Sequence, residues 1–257
     1  MNVNDLELFL NETFPVENAL DYDNVGLIAG DRNKIVTAIL VSLDLTDKAI
    51  EAAKEAGANV IVTHHPIIFG GIKTLTLDDY TGKILVKLVQ SGISVIACHT
   101  NLDLTGEFGN LAIADKLGAE DPKPLEGAVC GVVYNINTID RIKLKDYCAE
   151  VCKALGSSGV ITINNPENYV RRVFIQGGSF DEDSLEAVIK GGVDTIISGE
   201  IKHHICVGLE QMGINTIIAG HSATEQAYLP KIKQMLSEKY PGVSITVNYN
   251  NEVSSIL

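Results

Sequence analysis

No stretch of this 257-residue chain is apolar over the length needed to span a bilayer, and no basic start leads into a long apolar run. The opening Met1-Asn2-Val3-Asn4-Asp5-Leu6 turns acidic at once. Neither a secretory leader nor a membrane anchor is expected, and the cytoplasm is the expected compartment. Cysteine is sparse: Cys98, Cys130, Cys148, Cys152 and Cys206 are odd in number, scattered and mostly set in apolar runs. That excludes a disulfide framework and fits buried thiols in a reducing compartment. Basic charge is scarce as well, with 20 Lys and Arg against 33 Asp and Glu, for a net charge of -13. Such a surface repels phosphate backbones, so nucleic acid is not an expected partner. The local basic groups, Arg171-Arg172 and the spaced Arg141, Lys143 and Lys145, read as solvated charges. Neither Gly-x-Ser-x-Gly nor Cys-x-x-Cys occurs, and Gly177-Gly178-Ser179 lacks the Lys-Ser/Thr ending of a phosphate-binding loop. A tight turn is the expectation there.

What is present is a regular alternation. With 46% hydrophobic residues the chain can build one large or two small cores. Apolar spacing from 3 to 14 predicts a helix capped by Asn4 or Asp5, and the polar Asp21-Tyr22-Asp23-Asn24-Val25-Gly26-Leu27 predicts a turn-forming loop. A strand over 35–43 ends at Asp44; a helix capped by Thr46 or Asp47 follows, then Gly57 and a strand ending at His64-His65. A helix over 80–90 and a strand over 93–98 complete a β-α-β-α-β series, the signature of parallel α/β units. The turn-rich Gly118 to Pro124 predicts a boundary, hence lobes 1–125 and 126–257.

The second lobe echoes the first. "LTDKAIEAAKEAGANVIVTHH" (45–65) parallels "DEDSLEAVIKGGVDTIISGE" (181–200), and "SGISVIACHTNLD" (91–103) parallels "MGINTIIAGHSATE" (212–225). His99 with Asp103 thereby matches His221 with Glu225. The expected class is α/β, two similar lobes facing each other through their strand carboxyl ends, with the metal site between them.

Chemistry concentrates at those strand ends, where open α/β sheets place their ligands. Val60-Ile61-Val62-Thr63 is a buried-type run that stops at His64-His65-Pro66. Adjacent strand residues point to opposite faces, so both imidazoles serve one site only if the chain has left the pleat, which Pro66 favours. A histidine pair at a core edge is the alternative for this stretch alone. His221 and Glu225 share a helix face at spacing four, although Glu225 there can also simply complement the helix dipole. His64, His65, Asp103, His221 and Glu225 all lie just past apolar strands and are the candidate metal ligands. Five donors exceed one tetrahedral zinc, so two divalent cations per chain are expected, with Glu225 as bridge. Zinc, iron and manganese all suit the donor set. His99, Glu200, His203 and His204 form a second tier; Glu200 and His204 are the candidate catalytic residues, as proton carriers.

Asp23-Asn24-Val25-Gly26-Leu27, Thr63-His64-His65-Pro66, His99-Thr100-Asn101-Leu102-Asp103, Ser198-Gly199-Glu200 and Gly220-His221 with Glu225 together resemble the Nif-three-like family, whose members bear the name GTP cyclohydrolase I type 2 homologues. The resemblance covers essentially the whole chain. It implies the Nif-three-like fold, a dinuclear metal site on His64, His65, Asp103, His221 and Glu225, and a toroidal homohexamer. Tyr22 stands where relatives often carry Trp, and the short Gly118 to Glu126 link leaves no room for the domain that some relatives insert. The activity implied is metal-dependent hydrolysis of a nucleotide or phosphorylated small molecule, with GTP ring opening as the named case. The alternative is a non-catalytic metal-binding regulatory or interaction protein that forms a ring-shaped oligomer.

Overall fold

Short β-branched runs alternate with capped helices, and the architecture follows from that alternation. A computed structural model of the chain describes residues 1–136 and 142–249; Arg141 lies outside the described residues. Helix α1 (Val3–Thr13) is capped by Asn2, ahead of the expected Asn4 or Asp5. Asn2 accepts from the Asp5 N–H while the Asp5 carboxylate accepts from the Asn2 N–H, a reciprocal box that makes Asp5 the third helical residue. Strand β1 (Gly26–Ala29) occupies a stretch whose glycines read as loop. After it come β2 (Ala38–Ser42), α2 (Asp47–Glu55, capped by Thr46), β3 (Val60–Thr63), α3 (Tyr80–Ser91, capped by Asp79), β4 (Ser94–Ala97) and the single turn α4 (Thr100–Asp103). Strands β2, β3 and β4 pair in parallel, with Val41 opposite Val62 and Val62 opposite Ile96; β1 lies antiparallel on the outer side of β4. Every residue of β2, β3 and β4 is buried, as continuous apolar runs in a parallel sheet covered on both faces should be.

The second series opens with α5 (Phe108–Lys116), β5 (Lys123–Pro124), β6 (Val132–Asn135), β7 (Ile142–Lys143) and α6 (Leu144–Leu155). It continues through β8 (Ile161–Ile163), β9 (Tyr169–Val170), β10 (Arg172–Ser179), α7 (Leu185–Lys190), β11 (Thr195–Glu200), α8 (His203–Gln211), β12 (Asn215–Ile218) and α9 (His221–Glu225). Six strands form one sheet in the order β5-β6-β10-β11-β12-β8, and β7 pairs with β9 separately. Its centre, β10-β11-β12, is again three parallel strands in sequence order, the counterpart of β2-β3-β4. Phe174, Phe180, Val188, Ile196, Ile205 and Leu209 pack as one buried cluster on this sheet.

Spacing from Ser222 to Met235 reads as one helix, but two are present. Pro230 has no N–H to give to residue 226 and is tolerated only in a first turn, so the chain restarts as α10 (Tyr228–Lys239). The final strand, β13 (Ser244–Asn248), adds to β2 in parallel, with Val247 opposite Val41. The chain thus forms two compact units: Met1–Thr105 together with the described residues from Leu229 onward, and Gly106–Tyr228. Among the described residues no helix is long and apolar enough to cross a membrane.

Candidate metal centre

In the first unit β3 ends at Thr63, and the next two backbone N–H groups turn back onto β2. His64 donates to the carbonyls of Ser42 and Leu43, and His65 to that of Leu43. The pleat is therefore broken where the sequence required it to be, and the two rings lie on the same side with centroids 5.0 Å apart. His99, delivered by β4 at the start of α4, brings a third ring 5.2 Å from His64 and 5.5 Å from His65. One ring nitrogen of each of the three lies within 4.8 Å of the others.

The proton on each ring is placed by an oxygen behind it. His64 Nδ1 is 2.8 Å from the Cys98 carbonyl, which can only accept, so Nδ1 carries the hydrogen and Nε2 the lone pair. His65 Nδ1 is 2.8 Å from Asp44 Oδ1, and His99 Nδ1 is 2.9 Å from both oxygens of Asp23. Carboxylate or carbonyl behind imidazole is the arrangement that orients metal-binding histidines and raises their basicity. Asp103 Oδ2 lies 3.7 Å from His64 Nε2 and adds an anionic donor.

The ionisation states agree with this role. Burial, helped by repulsion from His64 and His65 and opposed by Asp23, pushes the His99 pKa down to about 4, leaving the neutral ring that ligates cations. Burial raises the Asp23 carboxyl, but hydrogen bonds from Thr100 and His99 outweigh it and hold the group below its ordinary range. Cys98, beside the cluster in sequence, is pushed up to about 12 by burial and takes no part as a thiolate. The ring of Phe69 stands edge-on to His99 at 5.7 Å.

In the second unit His221 opens α9, and its Nε2 is 3.0 Å from Glu225 Oε2 one turn later. Its Nδ1 faces Glu200 Oε1 at 3.3 Å, so a carboxylate again stands behind an imidazole. Backbone contacts place α9. Thr224 Oγ1 accepts from the Gly178 N–H and donates to the His221 carbonyl. A Cβ on Gly199 would lie 2.6 Å from the His221 Cα, so only glycine lets the strand approach this closely. Gly177-Gly178-Ser179 is the irregular end of β10, not a free turn. The Gly177 and Gly178 N–H groups bond Asn110 Oδ1 and Thr224 Oγ1, and so are already committed.

Each unit therefore assembles part of the expected set: His64, His65 and Asp103 in the first, His221 and Glu225 in the second. Glu200 lies against His221. His204 lies on the exposed first turn of α8, paired with Glu182 at 3.2 Å, and His203 beside it is exposed. Two residues with evident roles were absent from the sequence-derived set, Asp23 and Asp44. The signal was available for Asp44, which stands just past the end of β2 as the histidines stand past β3. Asp23 opens one of the motifs that carry the resemblance, but spacing could not assign it to His99, a ring 76 residues away.

The model of the family described as Duf34/NIF3 (NGG1p interacting factor 3) matches residues 1–253. This chain belongs to the DUF34/NIF3 family. A Clostridium acetobutylicum relative named GTP cyclohydrolase 1 type 2 homolog is 32% identical over 232 residues, 88% of this chain and 85% of that protein. The crystal structure of a Staphylococcus aureus hypothetical protein superposes with a TM-score of 0.91 at 25% identity, covering 100% of this chain and 99% of that one. Reduced HcgD from Methanocaldococcus jannaschii gives a TM-score of 0.79 at 26% identity, covering 96% and 97%. The DUF34/NIF3 assignment agrees with the motifs at Asp23, His64, His99, Glu200 and His221, and the α/β architecture is that of the family.

Proposed function

We propose that this protein binds two divalent cations per chain through His64, His65, Asp103, His221 and Glu225, and hydrolyses a nucleotide or a related phosphorylated small molecule. The observation that carries the reading is the orientation of the imidazoles. An oxygen lies within hydrogen-bond or ion-pair distance behind Nδ1 of His64, His65 and His221, so a cation would be bound through Nε2 of each ring. Zinc, iron and manganese are the metals that such nitrogen and oxygen donors take. A cation pair, when bound, activates water and steadies the charge on a phosphate or similar oxyanion. Glu200, exposed and facing His221, moves the proton, with His204 as the other candidate carrier. The relatives' cyclohydrolase name makes GTP the first substrate to try.

A second reading is a non-catalytic metal-binding regulatory protein assembled as a homohexameric ring. A run of exposed apolar side chains in the first unit, Phe69, Ile72, Leu75, Leu77 and Tyr80, favours it, because such patches mark surfaces that meet other proteins. Elemental analysis of the isolated protein should find close to two metals per chain. Loading with zinc, iron or manganese and screening nucleotides by mass spectrometry then separates the readings. Turnover lost in Glu225→Gln supports hydrolysis. Absence of turnover in every metal state, with metal-dependent capture of a partner by a ring of six, supports the second.

A further inference from the structure

We infer that Phe69 is the platform on which a planar heteroaromatic ring of the substrate stacks, a role that rests on the hydrolytic reading above and narrows it. The substrate is then a nucleoside phosphate, and a phosphorylated sugar without a base is a poor one. Phe69 stands outside the five metal ligands and the two proton carriers, and it contributes recognition without touching a cation.

Three features of the first unit converge on this residue. Its ring meets His99 edge-on at 5.7 Å and is still 50% exposed, so the same ring touches both the histidine cluster and solvent. An apolar ring half open to water beside a polar site gains by being covered, and a flat π surface is the cover that fits its face. Its placement is also fixed by long-range bonds. Asn24 Nδ2 donates to the Ile68 carbonyl at 2.7 Å, across 44 residues, and the preceding Asp23 lies 2.9 Å from His99 Nδ1. Two neighbouring residues thus hold the backbone just before Phe69 and the imidazole that Phe69 touches, which sets one relative to the other. Space is present as well. Gly70 and Gly71 follow, Gly71 at φ +81°, and a Cβ on either would meet nothing within 4 Å, so the chain beside the ring leaves room for a ligand. Chemistry then selects the ligand. A phenyl face offers nothing to phosphate oxygens, but it stacks on any base, whichever groups the base edges carry. Phosphate is the part that cations would take, which leaves the base to the protein's own side chains.

The chain has no tryptophan, so Phe69→Trp places a single fluorescent reporter at the platform. The zinc-loaded full-length variant is titrated with GTP, ATP, CTP and UTP, and with tripolyphosphate and ribose 5-phosphate as probes that lack a base. The expected result is saturable quenching by the nucleotides and none by the base-free probes, since stacking tolerates any base. Val89→Trp is the control. Val89 is exposed near the end of α3, which links the parallel β3 and β4 and so ends at the edge of the sheet opposite the histidines; a tryptophan there should not respond. Calorimetry on zinc-loaded wild type, Phe69→Ala and Phe69→Tyr supplies the second readout. Alanine should weaken GTP binding about 5–150-fold and tyrosine should restore it, with tripolyphosphate affinity and metal content equal in all three. Should the tryptophan variant fail to fold, calorimetry decides alone. Quenching by none of the nucleotides, or equal GTP affinity in wild type and Phe69→Ala, would overturn the inference. So would a fall in the metal content of Phe69→Ala, which would mark the ring as a prop for His99. Turnover of a base-free phosphate ester alongside any of these results keeps the hydrolytic reading and sinks the platform, whereas stacking without turnover in any metal state keeps the platform and sinks hydrolysis.

Discussion

Gly178 offers a quantitative test of how the second ligand group is built. Its φ is +63°, and a Cβ there would sit 2.3 Å from Glu225 Oε1 and 3.4 Å from His221 Nε2. Ordinary contact begins at 3.4 Å, so Gly178→Ala forces the buried Glu225 carboxylate to retreat by about 1 Å, twice the ~0.5 Å within which a ligand set must be held. Two costs are superposed. The left-handed backbone costs alanine about 1–2 kcal/mol wherever it occurs. The carboxylate displacement is local to the site. Gly192→Ala separates them, since Gly192 has φ +67° and nothing within 4 Å of an added Cβ. Thermal melts of the metal-free proteins should show Gly192→Ala lower by roughly 2–8 °C and Gly178→Ala lower still. Metal titration should show Gly192→Ala binding as wild type, and Gly178→Ala weaker by about 10–100-fold for the cation that uses Glu225. Equal melting of the two variants, together with unaltered affinity, would refute the claim that glycine at 178 exists to admit the carboxylate.

Other expectations are simpler. Asp44→Asn removes the negative charge behind His65 Nδ1 and should cost about 10–100-fold in cation affinity by calorimetric titration, with the metal-free melt little changed. Phe174→Ala empties a fully buried site packed edge-on to Phe180, and denaturant unfolding should show a loss of about 3–5 kcal/mol. Hydrogen bonds from Lys143 and Lys145 hold the exposed Glu167 carboxyl down at about 2. A depressed carboxyl stabilises the fold above its unfolded value and loses that contribution as pH falls. Wild type should therefore melt slightly above Glu167→Gln at pH 7, with the gap closing between about 4.5 and 2 and shrinking in high salt.

Local interactions made much of this molecule legible from its residues. The runs at 60–63 and 94–97 are strands because β-branched and small apolar side chains suit a sheet buried on both faces. Thr46 caps α2 and Gly92 ends α3 in the left-handed conformation, each through groups a few residues away. The echo between 45–65 and 181–200 exposed the recurrence of a three-strand parallel centre, since each copy repeats the same local succession. Parallel strands also put their carboxyl ends at one edge, so polar residues just past apolar runs could be singled out by position.

Tertiary structure decided whatever depended on partners far apart in the chain. β1 reads as a loop until β4 supplies hydrogen bonds for Gly26 and Leu27, and β13 joins β2 from some two hundred residues away. The continuous helix expected after His221 fails at Pro230 because a missing N–H outweighs the periodicity on either side. His99 changes from a neighbour of the site into part of its nitrogen cluster once Asp23 closes on it across 76 residues. Which ring nitrogen bears the proton was beyond any reading of spacing. That is set by an oxygen at hydrogen-bond distance, and the chain brings it there only by folding.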